Sequence, residues 1–127
     1  MSSTQFSVDM QDIDFSLFEV LEIQKKLGEI QGYADFDRET YTAMLEEAER
    51  MSSDVLFPIN GPGDREGCHL DSDGNVTTPK GYAEAWNTLI ENGWLGVSVP
   101  AELGGIGLPY CMALAVNEMF SGAAMAF

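Results

Sequence analysis

The sequence predicts an all-α domain: an orthogonal bundle of about four main helices, with room for a short hairpin near residues 68–78. Three observations carry that reading. Apolar residues recur at three- and four-residue spacing in several stretches. Capping residues, prolines and glycines punctuate those stretches. Hydrophobic residues make up 45% of the 127-residue chain. That suits one domain, which at this size buries roughly two-thirds of the surface its unfolded chain exposes.

Residues 1–14 are polar and acidic with scattered apolar side chains, and they read as a flexible N-terminal arm; the helical domain is expected over 15–127. In the first helix, Ser16 and Glu19 have capping-box spacing, and Phe15 and Val20 stand where a hydrophobic staple closes. Leu17, Val20, Leu21 and Leu27 share one broad face, and Gly28 is the expected stop. The second helix has the clearest signature. Asp37 is a good N-cap, with Phe36 before it and Tyr41 as its staple partner. Tyr41, Met44, Leu45, Ala48, Met51 and Val55 then recur at helical spacing, and Pro58 is expected to end the run.

Residues 58–79 are rich in turn formers, and Val76-Thr77 reads as a short extended piece after the Asp73-Gly74 turn. Thr78-Pro79 marks the next helix start. Tyr82, Ala85, Trp86, Leu89 and Ile90 form its apolar stripe, and Asn92-Gly93 closes it. The stretch from Trp94 to Leu108 is too rich in glycine for a helix and too apolar for a linker. Pro109 opens a last helix, expected to run to the end of the chain, with Met112, Ala115, Val116, Met119, Phe120 and Ala123 on one face. Asn117 and Glu118 interrupt what would otherwise resemble a membrane span, which needs about 20 largely uncharged residues.

Charge narrows the function classes. Acidic side chains number 21 and basic ones 6, a formal net charge of -15. Nucleic acid and anionic membrane surfaces would both repel such a chain. Cys68 and Cys111 are too far apart in sequence to suggest a disulfide framework. The N-terminus has no basic stretch followed by an apolar run, so a cytoplasmic location is expected.

Four motifs invite chemistry. Asp71, Asp73 and Asn75 imitate the start of a calcium-binding loop, but Val76 and Tyr82 stand where that loop needs a glycine and a bidentate acid. Gly105-Ile106-Gly107 imitates a dinucleotide fingerprint, but Tyr110 replaces its third glycine. Cys68-His69 has no second cluster to complete a zinc site, so no metal ligands are expected. Glu118 fits the polar side of its helix, beside Asn117 and Ser121.

The run Gly93-Trp94-Leu95-Gly96-Val97-Ser98-Val99-Pro100-Ala101-Glu102-Leu103-Gly104-Gly105-Ile106-Gly107-Leu108 resembles a segment that acyl-CoA dehydrogenases carry late in their amino-terminal helical domain, ahead of a long helix. Asn117-Glu118-Met119-Phe120-Ser121-Gly122-Ala123 resembles that helix and its small-residue end. Upstream, the helix Glu39–Leu56, the exit Pro58-Ile59-Asn60 and the loop Gly63–Cys68 are similar to the larger bacterial members. The resemblance covers roughly residues 14–127.

It implies a helical domain of a flavin-dependent oxidoreductase that removes the α and β hydrogens of an acyl-CoA. FAD in the intact enzyme and electron-transfer flavoprotein as electron acceptor go with it. Apolar surface left uncovered on the final helix predicts, separately, self-association into a homo-oligomer. Ala124, Met125 and Phe127 are the residues it places nearest the acyl-chain pocket. The family's catalytic glutamate and flavin-binding residues have no counterpart here, so none is assigned. With Ala126-Phe127 inside an apolar helix, the domain reads as truncated at its C-terminal end, inactive alone and without bound FAD. The alternative reading is a stand-alone acidic helical module that recruits a basic partner.

Overall fold

Helix formation begins at Asp9, whose side chain accepts a hydrogen bond from the Asp12 amide and caps α1, Met10–Asp14. We describe residues 6–127 from a computed structural model. The expected arm therefore lies partly outside the described residues. Within it, Phe6 stacks on Phe57 with ring centroids 5.5 Å apart, and α1 occupies its last five positions. The cap expected at Ser16 is not used. The chain is already helical there and runs through a π-helical turn, Phe15–Val20, closed by the Leu21 amide on the Ser16 carbonyl. Phe15 and Val20 are both exposed, so no staple forms. Leu17 and Phe18 turn inward instead.

Glu22 breaks the helix by adopting left-handed geometry (φ 51°), a conformation that costs a non-glycine residue about 1–2 kcal/mol. Its carboxylate pairs with Lys25, and its carbonyl accepts from the Lys25 and Lys26 amides at the start of α2, Ile23–Lys26. Leu17 and Leu27 consequently lie on different segments rather than on the single face the spacing suggests.

α3, Arg38–Arg50, starts as the sequence predicts. Asp37 Oδ1 accepts from the Thr40 amide at 2.8 Å and from the Thr40 hydroxyl at 2.7 Å. The Phe36 and Tyr41 rings stack at 5.8 Å. Arg38 binds Asp14 and Glu19, each at 2.9 Å, and lies 4.8 Å over the Phe18 ring. It thereby ties α3 to the first helical segment.

The proline expected to stop this run does not stop it. α3 passes into a second π-helical turn, Met51–Leu56, in which the Phe57 amide bonds the Ser52 carbonyl. α4, Phe57–Glu66, follows directly. Pro58 falls in its first turn, where a missing amide hydrogen costs little. The fully buried Ser52 hydroxyl bonds the Ala48 carbonyl at 2.8 Å across the junction. Gly67 (φ 68°) releases the chain from α4.

The hairpin forms from β1, His69–Leu70, and β2, Val76–Thr77, paired antiparallel with His69 opposite Thr77. Asp71 organises its turn by accepting the Asp73 and Asn75 amides, both at 2.9 Å. Helix α5, Tyr82–Glu91, starts three residues later than the Thr78 cap predicts. Gly81 (φ 90°) is its N-cap, and Thr78 and Pro79 lie in the approach. Ala85 and Leu89 are buried, while Trp86 and Ile90 face solvent.

Between α5 and the last helix, two short 3₁₀ turns, Trp94–Gly96 and Ala101–Leu103, fold into a compact loop. The Ile106 amide bonds the Gly96 carbonyl and the Leu108 amide bonds the Val97 carbonyl, each at 2.9 Å. Gly105 is required by closeness: a Cβ there would lie 2.0 Å from the Val99 carbonyl oxygen. Gly104 is required only by its backbone angle (φ 86°).

Helix α6, Tyr110–Ala123, is the spine of the domain. Met112, Val116, Met119 and Ala123 are buried along it, packed on α3 and on the second π turn. It does not run to the end of the chain as expected. Ala124 leaves helical geometry (φ -154°, ψ 78°), and the chain turns back so that the Phe127 amide bonds the Ala124 carbonyl at 3.2 Å. Glu118 is exposed on the outer face.

Two outcomes check this account. Gly105→Ala should destabilise the domain by about 3 kcal/mol, because the loop must open to admit a methyl group, whereas Gly104→Ala should cost only about 1 kcal/mol; urea denaturation measures both. Thr40 holds the Asp37 carboxyl below its ordinary value of 3.8, chiefly through its hydroxyl and then its amide. A lowered folded-state value stabilises above the unfolded value, and that contribution is lost as pH falls. The thermal advantage of the wild type over Asp37→Asn should therefore be complete at pH 6 and shrink once pH drops below 3.8.

Candidate functional site

The tail of the chain and one face of α5 converge on an aromatic cluster. Tyr82 and Trp86 are four residues apart and so share a face of α5. The Phe127 ring meets Tyr82 nearly edge-on, with centroids 5.2 Å apart and planes at 80°. It meets Trp86 at 6.5 Å and 60°. Edge-to-face pairs of this kind are favourable beyond the area they bury.

Two glycines bring α5 close enough to α4 for this arrangement. A Cβ on Gly63 would fall 2.5 Å from both Cε1 and the hydroxyl oxygen of Tyr82. A Cβ on Gly81 would fall 2.9 Å from Ile59 Cγ2. The Tyr82 ring is thus seated against bare backbone.

The three residues singled out from sequence fall differently. Ala124 is buried at the end of α6, and Phe127 is half-buried in the cluster. Met125 is 79% exposed. Sequence reasoning missed Tyr82 and Trp86 as neighbours of the tail. Their only signal was membership of an apolar stripe; the turn after Ala123 that delivers Phe127 to them has no cap residue to announce it. The cluster is an open apolar surface that offers no charge or general base. Grooves of about 250 Å³ beside Phe6 and Gly122, and of about 490 Å³ between Ile30–Phe36 and Ser98–Gly107, lie elsewhere and mix polar with apolar linings.

The remaining motifs resolve into structure. The Asp71 carboxylate is occupied by its own turn, whose Asn75 amide and side chain hold it below the ordinary range. Cys68 and His69 are exposed. Among the described residues, no group of three or more His, Cys, Asp or Glu side chains could hold a metal ion. Nor, among the described residues, is any helix long and apolar enough to cross a membrane. The Gly104–Gly107 run cannot cradle a pyrophosphate: the Gly105 amide bonds Pro100, the Ile106 amide bonds Gly96, and Gly105 abuts Val99. Burial raises the Tyr41 hydroxyl and the Cys111 thiol above their ordinary values. The Tyr41 hydroxyl is buried without a hydrogen-bond partner among the described residues.

Comparison with known proteins fits this architecture. Residues 69–127, from the hairpin to the aromatic tail, match the family described as "Acyl-CoA dehydrogenase, N-terminal domain". Over 122 residues, 96% of the chain, it is 33% identical to the 3-methylmercaptopropionyl-CoA dehydrogenase of Ruegeria pomeroyi. Over 121 residues, 94% of the chain, it is 30% identical to the broad-specificity linear acyl-CoA dehydrogenase FadE5 of Mycobacterium tuberculosis. Nearly the whole chain is thus similar to acyl-CoA dehydrogenases, and its second half matches their amino-terminal domain. It spans about a fifth of the length of these two relatives, 20% in each case.

The two thiols separate this environment from the surface. Cys68 is exposed, whereas Cys111 is half-buried and its thiolate is disfavoured by burial. At pH 8, Cys68 should react with a disulfide reagent at least about tenfold faster than Cys111. Equal rates in the folded protein would contradict the packing of α6.

Proposed function

We propose that this chain acts as the amino-terminal domain of a flavin-dependent acyl-CoA dehydrogenase and supplies part of the surface that receives the acyl chain. The observation that carries this reading is the relatedness of nearly the whole chain to two acyl-CoA dehydrogenases, in a region that ends on an apolar aromatic cluster. Ala124, Met125 and Phe127 are the proposed acyl-contacting residues. Their chemistry suits the task, because an alkyl chain needs an apolar surface without hydrogen-bonding groups, and each buried methylene contributes about 0.8 kcal/mol.

FAD, when bound to the intact enzyme, supplies the acceptor for the β-hydride of the acyl group. The described residues do not fit it: in the run Gly104–Gly107 the Gly104, Gly105 and Ile106 amides are bonded internally and Gly105 abuts Val99, so no step is assigned to this chain through the flavin. The role of these residues is to bind and orient the apolar end of the substrate and to exclude water from it. Electron-transfer flavoprotein as the electron acceptor and a homo-oligomeric enzyme complete the proposal.

The test is made with the protein encoded by the complete gene. It should show a flavin absorption spectrum and reduce an electron-accepting dye only when an acyl-CoA is added. The 127 residues alone should be colourless and inactive in the same assay. Acyl-CoA-dependent dye reduction by these residues alone, or its absence from the flavin-loaded complete protein, would contradict the proposal.

A further inference from the structure

Phe6 joins the two elements that build the aromatic cluster. Its ring stacks on Phe57, the first residue of α4, with centroids 5.5 Å apart and planes at 24°. The same ring meets the end of α6: a Cβ on Gly122 would stand 3.4 Å from Phe6 Cε2. The ring therefore rests on bare backbone in the last turn of α6, where a side chain larger than hydrogen would hold it further off. Phe6 and Phe57 are both partly buried against the core. Residues 6–9 continue beside Glu118 and Met119 and line the groove of about 250 Å³.

Each element that Phe6 touches carries one half of the cluster. α4 presents Gly63, against which the Tyr82 ring is seated. α6 ends one residue after Gly122, and its tail brings Phe127 to that ring. The bond from the Phe127 amide to the Ala124 carbonyl lies within the tail, so it closes the turn without anchoring it to α4 or α5. Among the described residues, no aromatic pair joins Phe6 to Phe127, whose ring partners are Tyr82 and Trp86.

We propose that Phe6 is a positioning residue for acyl binding. Wedged between the start of α4 and the end of α6, it fixes the direction in which the tail leaves α6, and with it the place of Phe127. The inference rests on the acyl-contacting role proposed above for residues 124–127. Phe6 acts through the last turn of α6 and not by touching the substrate. Its loss therefore weakens acyl-CoA binding without removing a reacting group, and its effect depends on Phe127 being present.

The test uses the flavin-loaded protein from the complete gene and acyl-CoA-dependent dye reduction. The substrate is whichever of butanoyl-, octanoyl- and hexadecanoyl-CoA the wild type turns over with the highest kcat/KM. Phe6→Ala should raise KM about tenfold with kcat within about twofold, and Phe6→Leu, which keeps apolar volume but not the stacked ring, should raise it about threefold. Phe127→Ala should also raise KM. In that background neither Phe6 substitution should raise KM further, because the group it positions is gone. Should Phe6→Ala yield no flavin-loaded protein, Phe6→Leu decides the matter. An unchanged KM in the Phe6 variants, with a raised one in Phe127→Ala, would overturn the role of Phe6 and leave the acyl-contacting tail intact. An unchanged KM in Phe127→Ala would overturn both. Effects that multiply in the double variant would show the two residues acting independently, and would overturn the proposal.

Discussion

The packing of α6 on α3 and on the second π-helical turn is the contact on which the rest of the domain depends. Met112, Val116 and Ala123 on α6 are fully buried, as are Tyr41 and Ala48 on α3. Burying a side chain of the size of Val or Met contributes about 1.5–3 kcal/mol, so this one seam outweighs the exposed ion pairs at the surface. Small residues fill out the same core: Ala48 on α3 and Ala113, Ala115 and Ala123 on α6 are all buried. The proposed acyl-contacting residues hang from one end of this seam. The compact loop feeds α6 at its start, and the tail leaves it at Ala124.

The π-helical turn at Met51–Leu56 is the device that makes the seam continuous with α4. A regular α-helix would meet Pro58 with an unfavourable junction. Widening the hydrogen-bond ring to the Ser52 carbonyl absorbs the mismatch, and the Ser52 side chain satisfies a buried carbonyl beside it. α4 then presents Gly63 to Tyr82 and Ile59 to Gly81, which seats α5. The position of the aromatic cluster therefore traces back, through α4, to the manner in which the chain passes a proline.

Local signals in the sequence were legible where the structure is itself local. Asp37, Phe36 and Tyr41 announced the start of α3, and each makes the predicted contact. The Asp71–Asn75 turn and the folded loop from Trp94 to Leu108 were equally plain, since glycine placement and short side-chain bonds define them. The errors have a common origin in tertiary context. Pro58 has the same chemistry whether it ends a helix or sits in the first turn of another. Ser16 has a capping side chain but lies inside a helix already started by Asp9. Thr78 precedes a proline as caps do, yet the glycine that fits against Ile59 starts α5. Of the candidate site, Ala124, Met125 and Phe127 came from family resemblance. Their meeting with Tyr82 and Trp86 is a contact across some forty residues of chain, which no spacing rule encodes.

The central proposal is that the acyl chain lies against the tail that follows α6. The most direct measurement is photocrosslinking of the complete protein with an acyl-CoA carrying a photoreactive group at the far end of its chain, followed by mapping of the labelled peptides. The account predicts label on residues 124–127 and on their neighbours Tyr82 and Trp86, suppressed by excess unlabelled acyl-CoA. Competable labelling confined to other segments would contradict it.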